Sequence, residues 1–110
     1  MSGELPREVY TDSWTLRRRF VELGILEQLA AGNLRAIVMR RSTPLPDRGL
    51  PPGSEAQIVY YWRGDLLVAV VHQYVLPDGT LGASGLPDPK WLRDGDTILK
   101  FHPNPPIEAS

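Results

Sequence analysis

Between Glu55 and Val75 apolar residues hold most positions, and a single Gly64-Asp65 pair interrupts them. The two halves, Glu55 to Arg63 and Leu66 to Val75, are together rich in valine, isoleucine and tyrosine, side chains that suit a pleated, half-buried surface. A two-residue separation led by glycine suits a tight reversal, because glycine takes the positive φ that such a turn needs. The pattern predicts an antiparallel hairpin over 55–75.

Upstream the period changes. From Asp12 to Gly32, the residues Leu16, Phe20, Leu23, Leu26 and Ala30 recur every three or four positions, which places them in one stripe of a helix. Asp12 or Ser13 can cap its first amides, and Gly32-Asn33 supplies a stop. Gly24 lies inside the stripe, where glycine costs about 1 kcal/mol relative to alanine, so a bend or break is expected there.

The remaining segments are shorter. Leu34 to Arg40 reads as a strand, and Ser42 to Ser54, with four prolines, as a long surface loop. Pro77-Asp78-Gly79-Thr80 is a turn, Leu81 to Ser84 a short strand, and Asp88-Pro89 the start of a helical turn running to Arg93. Thr97 to Phe101 reads as a last strand. Residues 1–11 and 102–110 read as tails, the second because its prolines interrupt any sheet. The expected fold class is therefore α+β: an N-terminal helix bent near Gly24, packed on a mainly antiparallel sheet of four or five strands centred on the hairpin.

A reversal at Gly64-Asp65 also sorts side chains by face, since each residue then opposes the one whose number sums with its own to 129. One face carries Ile58, Tyr60, Trp62, Leu67, Ala69 and Val71 and is expected to lie under the helix. The other carries Val59, Tyr61, Val68 and Val70, with Glu55, Gln57, His72 and Tyr74 at the end far from the turn. Both faces are greasy, yet one helix covers only one of them. Val59, Tyr61, Val68 and Val70 thus become the expected partner surface, to be covered by the proline-rich loop, by a curl of the sheet, or by another chain.

Composition narrows the classes of function. The chain has 110 residues, enough for one core, and its 42% hydrophobic and 23% charged residues are those of a globular domain. Cysteine is absent from the sequence, which excludes a disulfide framework, a thiolate zinc site and a thiol nucleophile. A net charge of −1 gives no chain-wide electrostatic footprint for nucleic acid. No run of 18 apolar residues exists to span a bilayer, and residues 1–10 lack the apolar core of a secretory signal, so a cytoplasmic location without membrane contact is expected.

Candidate chemistry is sparse. Glu55, His72 and Tyr74, with Gln57, form the one constellation the hairpin register assembles, and a carboxylate beside an imidazole suits acid-base work. Ordinary cross-strand polar pairs account for the same residues. Asp78 with Asp88 and Lys90 resembles the acid and lysine spacing of metal-dependent nucleases, although Pro89 and the lack of a third acid weaken the match. Gly79 to Gly85 is a glycine-rich loop with hydroxyls whose amides can cradle an anion, or simply a tight connection. Arg17 and Arg18, beside Arg19 on the helix, and Arg35, Arg40 and Arg41 on the following strand are candidate phosphate contacts. Three successive helical residues span about 200°, so they form no single stripe. The Arg63-Gly64-Asp65 tripeptide is read as the hairpin turn, and two distant histidines give a metal site little material.

The expected function is that of a non-enzymatic interaction module or accessory subunit, a homodimer or bound to a protein partner, with no cofactor and no metal. Nucleic-acid binding through the arginines, and a small metal-dependent nuclease or hydrolase, are the alternatives.

Overall fold

The computed structural model describes residues 5–104. Within them a six-stranded sheet carries two short helices: β1 (Arg7–Thr11), α1 (Ser13–Glu22), α2 (Ile25–Ala30), β2 (Arg35–Ser42), β3 (Glu55–Arg63), β4 (Leu66–Val75), β5 (Asp88–Asp94) and β6 (Thr97–Phe101). The order across the sheet is β1-β6-β5-β4-β3-β2. Only the β1–β6 pair is parallel, so β2 to β6 form an antiparallel meander and β1 closes its far side.

The helical segment breaks where the glycine stands. Asp12 caps α1 by accepting a 2.7 Å hydrogen bond from the Thr15 amide. Gly24, at φ +65°, turns the chain into α2, a conformation that L side chains resist. At the end of α2 the Asn33 amide donates to the Gln28 carbonyl and the Gly32 amide to the Leu29 carbonyl, the paired bonds of a glycine-terminated helix. Leu16, Phe20 and Ile25 come off these helices fully buried and pack with Val59, Tyr61, Val68, Ala69, Val71 and Leu92 of the sheet. The bidentate pair of Arg19 with Asp94, at 2.6 and 2.9 Å, pins α1 to the end of β5.

Four expectations need correction. The hairpin turns at Gly64-Asp65 as expected, and Arg63 pairs with Leu66 and Trp62 with Leu67. Beyond them the register slips by one, so that Tyr61 pairs with Ala69, Val59 with Val71 and Gln57 with Gln73. Val68 is the extra residue of a β-bulge, and every β4 side chain after it changes face relative to the simple register. Val59, Tyr61 and Val68 are therefore core residues, 3%, 2% and 3% exposed, and the face beneath the helices is theirs. Ile58, Tyr60, Trp62 and Leu67 lie on the side away from the helices.

The second correction concerns residues 7–11, which are a strand and not a tail: Arg7 to Thr11 pair in register with Thr97 to Phe101. His102 continues that association by donating its amide to the Thr11 carbonyl. The rest of the expected tails, residues 1–4 and 105–110, lies outside the described residues. Third, Asp88 to Arg93 is strand rather than helical turn. Pro89 is accommodated because β5 pairs with β6 only from Trp91 onward and because a bulge in the β4–β5 register falls at this point. Fourth, Leu81 makes an isolated bridge to Val75 instead of starting a strand.

Candidate functional site

The side of the sheet away from the helices is read from its register. Ile37 pairs with Tyr60, Tyr60 with Val70 and Val70 with Trp91, which sets four apolar side chains in a row across β2, β3, β4 and β5. Ile58 lies beside this row on one side, Trp62 and Leu67 on the other. The Tyr60 and Trp62 rings sit 6.3 Å apart. Towards the far edge the row ends in cation–π contacts, the Arg93 guanidinium 5.5 Å from the Trp91 ring and the Lys100 ammonium 5.4 Å from that of Tyr10. Ile58, Tyr60, Trp62, Val70 and Trp91 are each only partly buried, in contrast to Val59, Tyr61, Ala69, Val71 and Leu92 beside them on the same strands, which are buried.

The expected constellation of Glu55, His72 and Tyr74 is divided by the same bulge. Glu55 and Gln57 stand on the helix-bearing side, where Arg41 Nε donates to Glu55 at 3.1 Å, Gln57 to Glu55 at 2.8 Å and Gln73 to Gln57 at 2.9 Å. His72 opposes Ile58 and Tyr74 opposes Ala56, and their rings meet edge to face at 4.9 Å. The acid and the imidazole do not meet across the hairpin.

The arginines scatter in the same way. Arg17 donates to Asp88 at 3.0 Å, Arg18 lies over the Trp14 ring at 4.8 Å, and Arg41 is held by Glu55. Arg35 pairs in register with Trp62 and Arg40 with Ile58, which puts both at the β2 edge of the apolar row. Asp78 accepts bonds from the amide and hydroxyl of Thr80, which pull its carboxyl below the usual 3.8.

A second feature is one that no single stretch of sequence displays. Where β4, β5, α1 and the loop after Leu81 meet, a cleft of about 450 Å³ gathers Arg17, Arg48, His72, Tyr74, Ser84, Asp88 and Lys90. Asp88 bridges Arg17 at 3.0 Å and Lys90 at 2.9 Å. Burial pushes its carboxyl up, but the hydrogen bonds from Lys90 and Arg17 outweigh that, and its pKa ends below 3.8. His72 is lowered from 6.5, first by burial and then by the charge of Lys90. Trp91 and Arg48 are the contributors that sequence reasoning missed: Trp91 stood in an expected helical turn, and Arg48 in the proline-rich loop, where nothing in the pattern aims it at β4.

The geometry defines an α+β domain with one helix-covered and one uncovered sheet face. Comparison with protein-family models, with curated proteins and with solved structures finds no match to this chain.

Proposed function

We propose that the protein is a non-enzymatic interaction module that pairs with a second copy of itself, face to face, through the uncovered side of its sheet. The observation that carries this reading is the row Ile37, Tyr60, Val70 and Trp91 with Ile58, Trp62 and Leu67 around it, on a side that holds neither helix. An antiparallel sheet with one open face ordinarily keeps that face polar, and a contiguous apolar one marks a docking surface.

Three features favour a second copy over another occupant. Six strands about 4.8 Å apart and some seven residues long present on the order of 600 Å² per copy, so two sheets bury about 1,200 Å², the lower bound of stable pairs. The net charge of −1 puts little repulsion between identical chains. The free edge of β2 carries Arg35, Arg40 and Arg41 and a bulge after Val38, features that discourage edge-to-edge pairing and leave the face as the route of association.

Sedimentation equilibrium tests the reading. The wild-type protein is expected at twice its 12.3 kDa chain mass, and Tyr60→Ser with Trp62→Ser at the chain mass with the fold retained by circular dichroism. A wild-type protein that stays at the chain mass up to millimolar concentration overturns it, and so does a double variant that remains dimeric. No helix among the described residues is long and apolar enough to cross a membrane.

A further inference from the structure

The cleft between β4, β5 and α1 lies beside the apolar row, at the end of the hairpin far from the Gly64-Asp65 turn, and its chemistry is of a different kind. Arg17, Arg48 and Lys90 bring three positive charges to it and Asp88 brings one negative, in a chain whose overall charge is −1. Low-dielectric walls around one sign of charge focus the field and concentrate counter-ions.

Two of the three cations are held, not merely nearby. Asp88 fixes Arg17 from α1 and Lys90 from β5 on its two oxygens, and a 4.3 Å contact with the Phe101 ring further constrains the Lys90 ammonium. Among the described residues Arg48 makes no ion pair, so its guanidinium fork remains for a ligand. The loop at the rim is built to come close. Gly82 packs so tightly that an added Cβ would lie 2.9 Å from Leu76 Cδ2, and Ala83 follows at φ +55°, the sole non-glycine residue with positive φ among the described residues. A non-glycine residue held in that region costs energy, and such strain gathers at ligand sites.

We propose that this cleft binds a small phosphomonoester, with Arg48 and Arg17 on the phosphate, Lys90 supporting them and the organic group against the Tyr74 ring. Three cations against one acid leave two positive charges, which match a phosphate dianion. Guanidinium forks suit its oxygens. About 450 Å³ exceeds what bare phosphate fills and falls in the range of small-molecule sites.

Calorimetric titration with phenyl phosphate, inorganic phosphate and succinate tests the proposal. Phenyl phosphate is expected to bind at least tenfold tighter than inorganic phosphate, and succinate more weakly than phenyl phosphate. Arg48→Ala and Tyr74→Ala are each expected to weaken phenyl phosphate about tenfold with the amide spectrum otherwise unchanged, while Arg18→Ala, outside the cleft, leaves it unaltered. No heat with phenyl phosphate at millimolar concentration, equal affinity for succinate, or an Arg48→Ala protein that binds as well as wild type overturns it. Tyr60→Ser with Trp62→Ser provides the separation from the pairing reading: a monomer that still binds phenyl phosphate retains this site whatever becomes of the interface.

Discussion

Two residues of β4 that sit a few positions apart meet different fates, and the difference is physical. Val68 is 3% exposed in the core because the bulge turns it towards the helices, while Val70 pairs with Tyr60 and Trp91 on the other side. Leu92 lies fully buried in the same core cluster as Leu16 and Phe20. Its replacement by alanine removes buried methyl groups and leaves a cavity, so Leu92→Ala is expected to lower the unfolding free energy by about 3 kcal/mol, measured by urea denaturation. His72 supplies a pH signature. Its folded pKa lies below 6.5, so between that lowered value and 6.5 the unfolded chain binds more protons than the folded one. Stability is therefore expected to fall as pH drops through this window, and His72→Gln to flatten that part of the profile, measured by thermal unfolding between pH 5 and 8. An unchanged slope in the variant contradicts the burial of the imidazole.

Elements explain which parts of the fold were legible in the sequence. The hairpin, the Asp12 cap, the break at Gly24 and the stop at Gly32 were readable because each depends on local chemistry: a turn glycine, a capping carboxylate, a left-handed backbone position. The bulge at Val68 was not, because the residues around it are valine, alanine and leucine, all at home on either face, and no glycine or proline marks the extra residue. Strand β1 escaped because its REVYT sequence is half polar and its partner lies ninety residues away in the chain. Strand β5 escaped because Asp88-Pro89 mimics a helix start, whereas the incomplete β5–β6 ladder and the bulge in the β4–β5 register make room for the proline. The divided set of Glu55, His72 and Tyr74 follows from the same unseen bulge, whereas the cleft required five segments to converge, which no local pattern encodes. Deleting Val68 removes the bulge yet leaves Leu67 opposite Trp62 and Ala69 opposite Tyr61, so the variant is expected to keep its faces and its fold while losing the Val68 side chain from the core. Val68→Ala, which keeps the bulge, is expected to remain folded with a loss of about 1 to 2 kcal/mol, and urea denaturation of the two variants separates the contribution of the bulge from that of side-chain volume.

For the whole molecule the consequence is a division of labour between the two sides of one sheet. α1 and α2 spend their apolar stripes on Val59, Tyr61, Val71 and Leu92, and nothing comparable lies over Tyr60, Trp62, Val70 and Trp91 among the described residues. Arginines at the β2 edge disfavour sideways growth of the sheet, which in the proposed pairing directs association face to face. The most direct measurement is an isotope-filtered nuclear Overhauser experiment on a dimer reassembled from labelled and unlabelled chains. Cross-peaks between copies are predicted from the side chains of Tyr60, Trp62, Val70 and Trp91. An absence of any such cross-peak, or cross-peaks arising from the helices instead, contradicts the account.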